Sequence, residues 1–177
     1  MDVQEFFEFS AGNWFSQKTS HHLTLKQSEQ GKSDLSIEIL PNDDPQMLQL
    51  CQHAGIDPSL TWGGAKYTWK GTTHWDTQQQ SPANQQGSSV VVAIPDQPVG
   101  NTGRLFQSTS IANSSPVIAQ YTLGDDDALT LTIDNDGTHS EERIWFESPN
   151  VRVRTTVVTR TNGDNIATFY SEIRRMG

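Results

Sequence analysis

Arg152 and Arg154 offer the clearest chemistry in this chain by type and spacing. They stand in Val151-Arg152-Val153-Arg154-Thr155, a β-branched run that reads as a strand. Residues two apart on a strand share a face, about 6.6–6.8 Å from one another. Two parallel guanidiniums at that spacing could hold two carboxylates of one ligand by bidentate pairing. Acidic partners are near at hand. Glu142 lies in Glu141-Glu142-Arg143-Ile144-Trp145-Phe146, and Glu172 lies on the strand returning from the Asn162-Gly163 hairpin. The two-residue turn would set Arg154 opposite Ser171, and a loop one residue longer would set it opposite Glu172. The competing reading is a solvated strand face whose ion pairs contribute ~0–1 kcal/mol each. Spacing leaves both open.

The other constellations carry less. Five tryptophans (14, 62, 69, 75 and 145) are many for a chain in which only 33% of residues are apolar. Trp69 and Trp75 flank Gly71-Thr72-Thr73 and, with their aromatic faces, could line a pocket for a flat conjugated ligand. Trp14, in Gly12-x-Trp14, reads as core. The histidines show no metal-ligand spacing, and His21 and His22 would point to opposite faces of a strand, so no metal site is expected. Asp134-Asn135-Asp136-Gly137 lacks the closing Glu of a calcium loop and reads as a turn. Cys51, the single cysteine, excludes an internal disulfide and reads as a buried structural thiol. Phosphate loops and Gly-x-Ser-x-Gly elbows are absent.

These residues need a β scaffold. A helix is expected over about 2–10 and a second over 45–54, the latter with Asp44 as N-cap, Pro45 at its first position and Gly55 as C-cap. Strands are expected at 14–28, 34–40, 64–71, 72–77, 89–94, 103–111, 117–123, 128–134, 140–147, 150–160 and 165–174, with loops at 78–89 and 95–103. Such spacing indicates an all-β sandwich or barrel. The 177 residues suit one domain over 1–177.

Composition excludes several classes. Twelve Lys+Arg against 21 Asp+Glu leave a net charge of −9, which disfavours nucleic acid and acidic membrane surfaces as partners. No apolar run is long enough for a membrane helix. The first residues lack the basic segment of a signal peptide, so a reducing cytoplasm is the expected location. The small apolar fraction points either to extensive loops or to a polar interior, as in a barrel with a lumen.

Taken together, Phe6-Phe7-Glu8-x-Ser10-Ala11-Gly12-x-Trp14-Phe15-Ser16-Gln17, Thr19-Ser20-His21-His22-Leu23, Asp43-Asp44-Pro45, Leu50-Cys51, Gly71-Thr72, Trp75, Ser140-Glu141-Glu142-Arg143-x-Trp145-Phe146, Pro149-Asn150-x-Arg152-x-Arg154-Thr155 and Ser171-Glu172-Ile173-Arg174 resemble the S-type phycobiliprotein lyases, the CpcS/CpeS family. The resemblance implies a mainly β, lipocalin-like (calycin) antiparallel barrel of about ten strands with small helices. It implies binding of a free linear tetrapyrrole such as phycocyanobilin, as substrate and with no cofactor. The bilin would be delivered to a cysteine of apo-phycobiliprotein subunits (phycocyanin β, allophycocyanin) in the cyanobacterial cytoplasm or plastid stroma. On the same footing, Arg152 and Arg154 would anchor the propionates, and Glu142 or Glu172 would pair with protonated pyrrole nitrogens. Trp69, Trp75 and Trp145 would form an aromatic wall. Lys18 stands where the family usually has Arg, and 108–113 departs from its usual run. A bilin carrier without transfer activity, and one subunit of a dimeric lyase, whether homodimer or heterodimer, are the alternatives.

Overall fold

In the computed structural model, residues 1–75, 83–98, 100–109 and 115–176 are described, the side chains of His74, Trp75 and Ala83 excepted. Helix α1 (Val3–Ser10) starts at a capping box, in which the Asp2 carboxylate accepts from the Glu5 N–H and Glu5 reaches back to the Asp2 N–H. Ten strands follow: β1 (Gly12–His22), β2 (Gln27–Leu40), β3 (Gly64–Trp75), β4 (Ala83–Pro95), β5 (Thr102–Gln107), β6 (Val117–Leu123), β7 (Leu129–Asn135), β8 (Thr138–Ser148), β9 (Val151–Arg160) and β10 (Asn165–Arg174). Helix α2 (Pro45–Ala54) lies between β2 and β3, with the expected Asp44 and Gly55 caps in place.

Each strand pairs antiparallel with the next, and β10 pairs with β1, so the sheet closes into a barrel with no free edge. Alternation along every strand sends one row of side chains inward. At one end α1 plugs the barrel. Val3, Phe6 and Phe7 bury against Trp14, Leu35, Ile37, Leu105, Tyr121, Leu123, Leu129 and Ile144. Outside the barrel, α2 lays Met47, Leu50 and Cys51 on Val90 and Val92, the outward row of β4. The Cys51 thiol is buried there and its pKa is pushed up by desolvation, then by the charge of Asp57.

Four differences from the expected elements have physical causes. The stretches 64–71 and 72–77 are one strand, because Gly71 does not break β3. It lets β2 approach: a Cβ there would sit 2.0 Å from the Lys32 carbonyl oxygen. Gly71→Ala is therefore expected to cost about 1–3 kcal/mol by overpacking, read as a lower urea midpoint at unchanged slope. Second, the alternation of Leu23 and Leu25 does not extend β1. It occupies an exposed hairpin turn in which Lys26 takes φ 51°, so periodicity here lacks the burial that makes a strand. Third, β4 begins at Ala83, inside the expected loop, because Gln85 to Ser89 find partners along β3. Fourth, β5 ends at Gln107, and residues 110–114 lie outside the described residues.

The β9–β10 hairpin follows neither expected register. Its three-residue loop is Thr161-Asn162-Gly163, with Gly163 at φ 82° and its N–H bonded to the Arg160 carbonyl. Arg160 therefore flanks the loop, Arg152 pairs with Glu172, and Arg154 pairs with Tyr170.

Candidate functional site

The interior has three parts. Nearest α1 is the apolar plug. A cavity of about 320 Å³ starts directly from Phe7, Leu105 and Leu129 of that plug and runs to Lys18, Thr73 and Gln85, and a charged layer flanks it on the side of β8, β9, β10 and β1. The size falls within the range of small-molecule sites, about 300–1,000 Å³. Its apolar wall includes Trp69, Leu131 and Ile144, and its polar wall includes Ser16, Lys18, Thr73, Gln85, Arg154 and Tyr170.

The charged layer is built by register. Ser16, Glu172, Arg152 and Phe146 stand level across β1, β10, β9 and β8, all pointing inward. Glu172 is 0% exposed and Arg152 1%. Arg152 Nε donates to Glu172 Oε1 at 2.9 Å, and Arg154 Nε lies 3.1 Å from the same oxygen. Arg154 Nη1 reaches Glu142 Oε1 at 3.5 Å. The Arg154 guanidinium lies 3.9 Å from the centre of the Tyr170 ring, and that of Arg152 lies 5.5 Å from the Trp14 ring. Lys18 meets Glu29 at 3.5 Å nearer the open end.

Electrostatics follow from this packing. Burial alone would raise the Glu172 carboxyl. The charges of Arg154 and Arg152 and the Ser16 hydroxyl outweigh it and hold the pKa below its ordinary value. For Arg154, burial works against the charge, but Glu172 and Glu142 prevail and raise its pKa. Tyr67, two residues before Trp69 and against the Arg152 guanidinium, has its hydroxyl pKa pushed up by desolvation. A carboxyl with a depressed folded pKa adds stability above its unfolded value and loses it as pH falls through the folded one. The stability gap between the wild type and Glu172→Gln is therefore expected to be widest at neutral pH. It should narrow as pH drops below the ordinary value of 4.5, which urea titrations across that range would show.

The residues singled out by spacing are placed differently from one another. Arg154 and Trp69 line the cavity. Glu142, about a quarter exposed, reaches Arg154 from the neighbouring strand. Arg152 and Glu172 are buried beside the cavity, and its wall does not include them. Trp145 is a correction to the expected aromatic wall. It sits in the outward row of β8, its Nε1 donates to Glu147 at 2.7 Å, and Arg143 stacks 5.7 Å from its ring. Phe146 takes the inward place beside it and packs on Phe6, Phe9 and Trp14. The side chain of Trp75 lies outside the described residues. Spacing missed Tyr67 and Tyr170, although each stands two residues from a residue it did select, Trp69 and Glu172. Among the described residues no group of His, Cys, Asp and Glu is placed to hold a metal.

The fold has a counterpart in known proteins. The profile of the CpeS-like protein family matches residues 2–175. The chain belongs to the CpeS-like family. A chromophore lyase CpcS/CpeS from Thermosynechococcus vestitus is 45% identical to this CpeS-like chain over 174 residues, 98% of the chain and 93% of the relative. A phycocyanobilin lyase subunit CpcS from Picosynechococcus sp. is 39% identical over 173 residues, 98% of the chain and 86% of the relative. The structure of the S-type phycobiliprotein lyase CPES from Guillardia theta superposes with a TM-score of 0.85 at 28% identity, covering 100% of this chain and 94% of that one.

Proposed function

We propose that this CpeS-like chain is a bilin lyase, which holds a free linear tetrapyrrole such as phycocyanobilin in the barrel and presents it to a cysteine of an apo-phycobiliprotein subunit. The observation that carries the reading is Arg154 on the cavity wall, with its charge backed by Glu172 and Glu142 beside it. A carboxylate arriving in the cavity meets a guanidinium already held in place, so little ordering is required on binding. One propionate pairs with Arg154. Glu142, which is partly exposed, is the carboxylate within reach of the protonated pyrrole nitrogens. Withdrawal of electron density through those nitrogens makes the ethylidene carbon more electrophilic.

The client thiolate then adds to that carbon and a proton completes the addition across the double bond, so no oxidant, reductant or cofactor is consumed. The protein contributes orientation and exclusion of water. Glu172 and Arg152 act by holding Arg154, without contacting the bilin. Trp69 supplies an apolar face for the conjugated system.

Coexpression with a bilin-synthesis pathway and an apo-phycocyanin β-subunit tests the proposal. A covalently coloured client is the expected result, and an uncoloured client, even with a related lyase subunit present, overturns it. A pure carrier would shift and sharpen the bilin spectrum yet leave attachment no faster. One observation favours a second reading: the Picosynechococcus relative is named a lyase subunit. Attachment that appears only when a related chain is mixed in would assign this protein to one half of a heterodimer.

A further inference from the structure

Gly31 and Gly87 stand in the inward rows that enclose the cavity, each directly opposite a long side chain of the neighbouring strand. Trp69 of β3 pairs with Gly87 of β4, and Lys18 of β1 pairs with Gly31 of β2. Neither glycine has a positive φ, so backbone conformation does not require glycine at either place. Space does. A Cβ at Gly87 would lie 2.6 Å from Trp69 Cζ2, 3.0 Å from Cε2 and 3.2 Å from Cη2. The nearest atom and both its ring neighbours are at similar distances, so the six-membered ring lies face-down on the glycine, not edge-on. Its other face borders the cavity. A Cβ at Gly31 would lie 2.7 Å from Lys18 Cε and 3.0 Å from Cγ, so the lysine stem is recessed in the same way. Gly71 differs, because a Cβ there meets the backbone of β2 and its absence serves the sheet, not the lumen. On its other side Trp69 has Leu35, and Lys18 has Tyr170, each level across the sheet. A side chain pushed off its glycine finds that side occupied and swings into the lumen.

We propose that Gly87 and Gly31 are specificity-determining residues: they seat Trp69 and Lys18 against the wall and so hold the lumen open to a ligand as broad as a tetrapyrrole, an inference that rests on the bilin reading of the same site. The cavity of about 320 Å³ is close to the lower bound of small-molecule sites, about 300 Å³, so a displaced indole fills a large part of it. Orientation matters as much as volume. Held face-down, the indole offers the lumen a flat surface, which a conjugated ring system stacks on, whereas a displaced ring offers an edge. A cross-strand aromatic over a glycine also steadies a sheet. That role alone would make a substitution weaken the fold and every ligand alike. A width-setting role makes the loss depend on the size of the ligand and on the presence of the indole.

Absorption titration of the purified full chain with two probes tests the proposal. One is free phycocyanobilin. The other is a dipyrrinone with a single propionate, which is half a bilin and keeps one carboxylate for Arg154. Gly87→Ala is expected to raise the dissociation constant for phycocyanobilin at least about tenfold, and that for the dipyrrinone less than about twofold. Trp69→Phe removes the benzo ring that the new methyl group would meet. In that background Gly87→Ala is expected to cost phycocyanobilin less than about twofold, a coupling that a double-mutant cycle isolates. Where the dipyrrinone binds too weakly to titrate, the cycle decides alone. Gly31→Ala, with Lys18→Ala as its relieving background, repeats the test if Gly87→Ala folds poorly. Equal losses for the two probes overturn the proposal and assign the glycine to sheet packing. A Gly87→Ala protein that binds phycocyanobilin as the wild type does also overturns it, as does a loss that persists in full without the indole. A wild type that binds no phycocyanobilin overturns the bilin reading itself, and this inference with it.

Discussion

Glu172→Ala is expected to cost roughly 3–5 kcal/mol of folding stability, the largest single effect in this protein. Glu172 is fully enclosed and its Oε1 is shared by Arg152 at 2.9 Å and Arg154 at 3.1 Å. Removing it leaves the Arg152 guanidinium, itself 1% exposed, in an interior with no compensating anion. Desolvated charge is costly when unpaired, whereas the intact pair roughly offsets its own desolvation. Two controls separate these effects. Glu172→Gln keeps hydrogen-bonding capacity but loses the charge, and should fall between Ala and the wild type. The double replacement Arg152→Met with Glu172→Leu removes both charges and should recover much of the loss, because an apolar pair extends the plug of Trp14, Phe6 and Phe146. Urea denaturation of all three variants measures this. A Glu172→Ala protein as stable as the wild type would show that the ion pair is not sealed from water.

Arg154→Ala is expected to weaken phycocyanobilin binding by about 10–100-fold, from the loss of one charge-assisted contact at ~1.5–3 kcal/mol. Its folding stability should change less than that of Glu172→Ala. Arg154 is 21% exposed, and Glu172 retains Arg152 when it is removed. Arg154→Lys is expected to restore only part of the affinity, since an ammonium keeps the charge but not the planar fork. Absorption titration of each purified variant with the free bilin gives the affinities, and the urea midpoint gives the stability. Arg152→Ala should show the opposite pattern, with a large stability loss and an affinity that follows the folded fraction. Equal affinity losses for Arg152→Ala and Arg154→Ala at equal stability would place both guanidiniums on the ligand.

That contrast shows how far spacing alone carries. A period of two correctly puts Arg152 and Arg154 on one face, but it does not say how deep each lies. Depth depends on what stands level on the neighbouring strands. Arg152 shares its level with Phe146 and Glu172, Arg154 with Ile144 and Tyr170. A one-residue difference in the 161–163 loop resets all of these partners, which is why neither register expected from the Asn162-Gly163 turn is the observed one. Trp145 and Phe146 pose the same problem. Either aromatic could face inward, and a register irregularity between Phe146 and Ser148 accompanies the choice.

The small apolar fraction of 33% can now be located. Inward rows that would be hydrocarbon in a filled barrel instead contain Ser16, Lys18, Thr73, Gln85, Arg154 and Tyr170 around the cavity. Outward rows that would ordinarily be charged contain Phe169 and Ile173. Polarity is thus partly inverted, and a composition count cannot reveal an inversion because it carries no direction.

By itself the sequence determined what local rules control: the capped helix at 45–54, the alternation that makes strands, the absence of a disulfide framework, and the shared strand face of Arg152 and Arg154. Tertiary structure alone decided which row faces the lumen and which arginine reaches the cavity. Each of these depends on register between strands distant in the chain, and register is set by closure of the whole barrel: β10 must meet β1, Glu172 must meet Ser16, and no segment read alone contains that constraint.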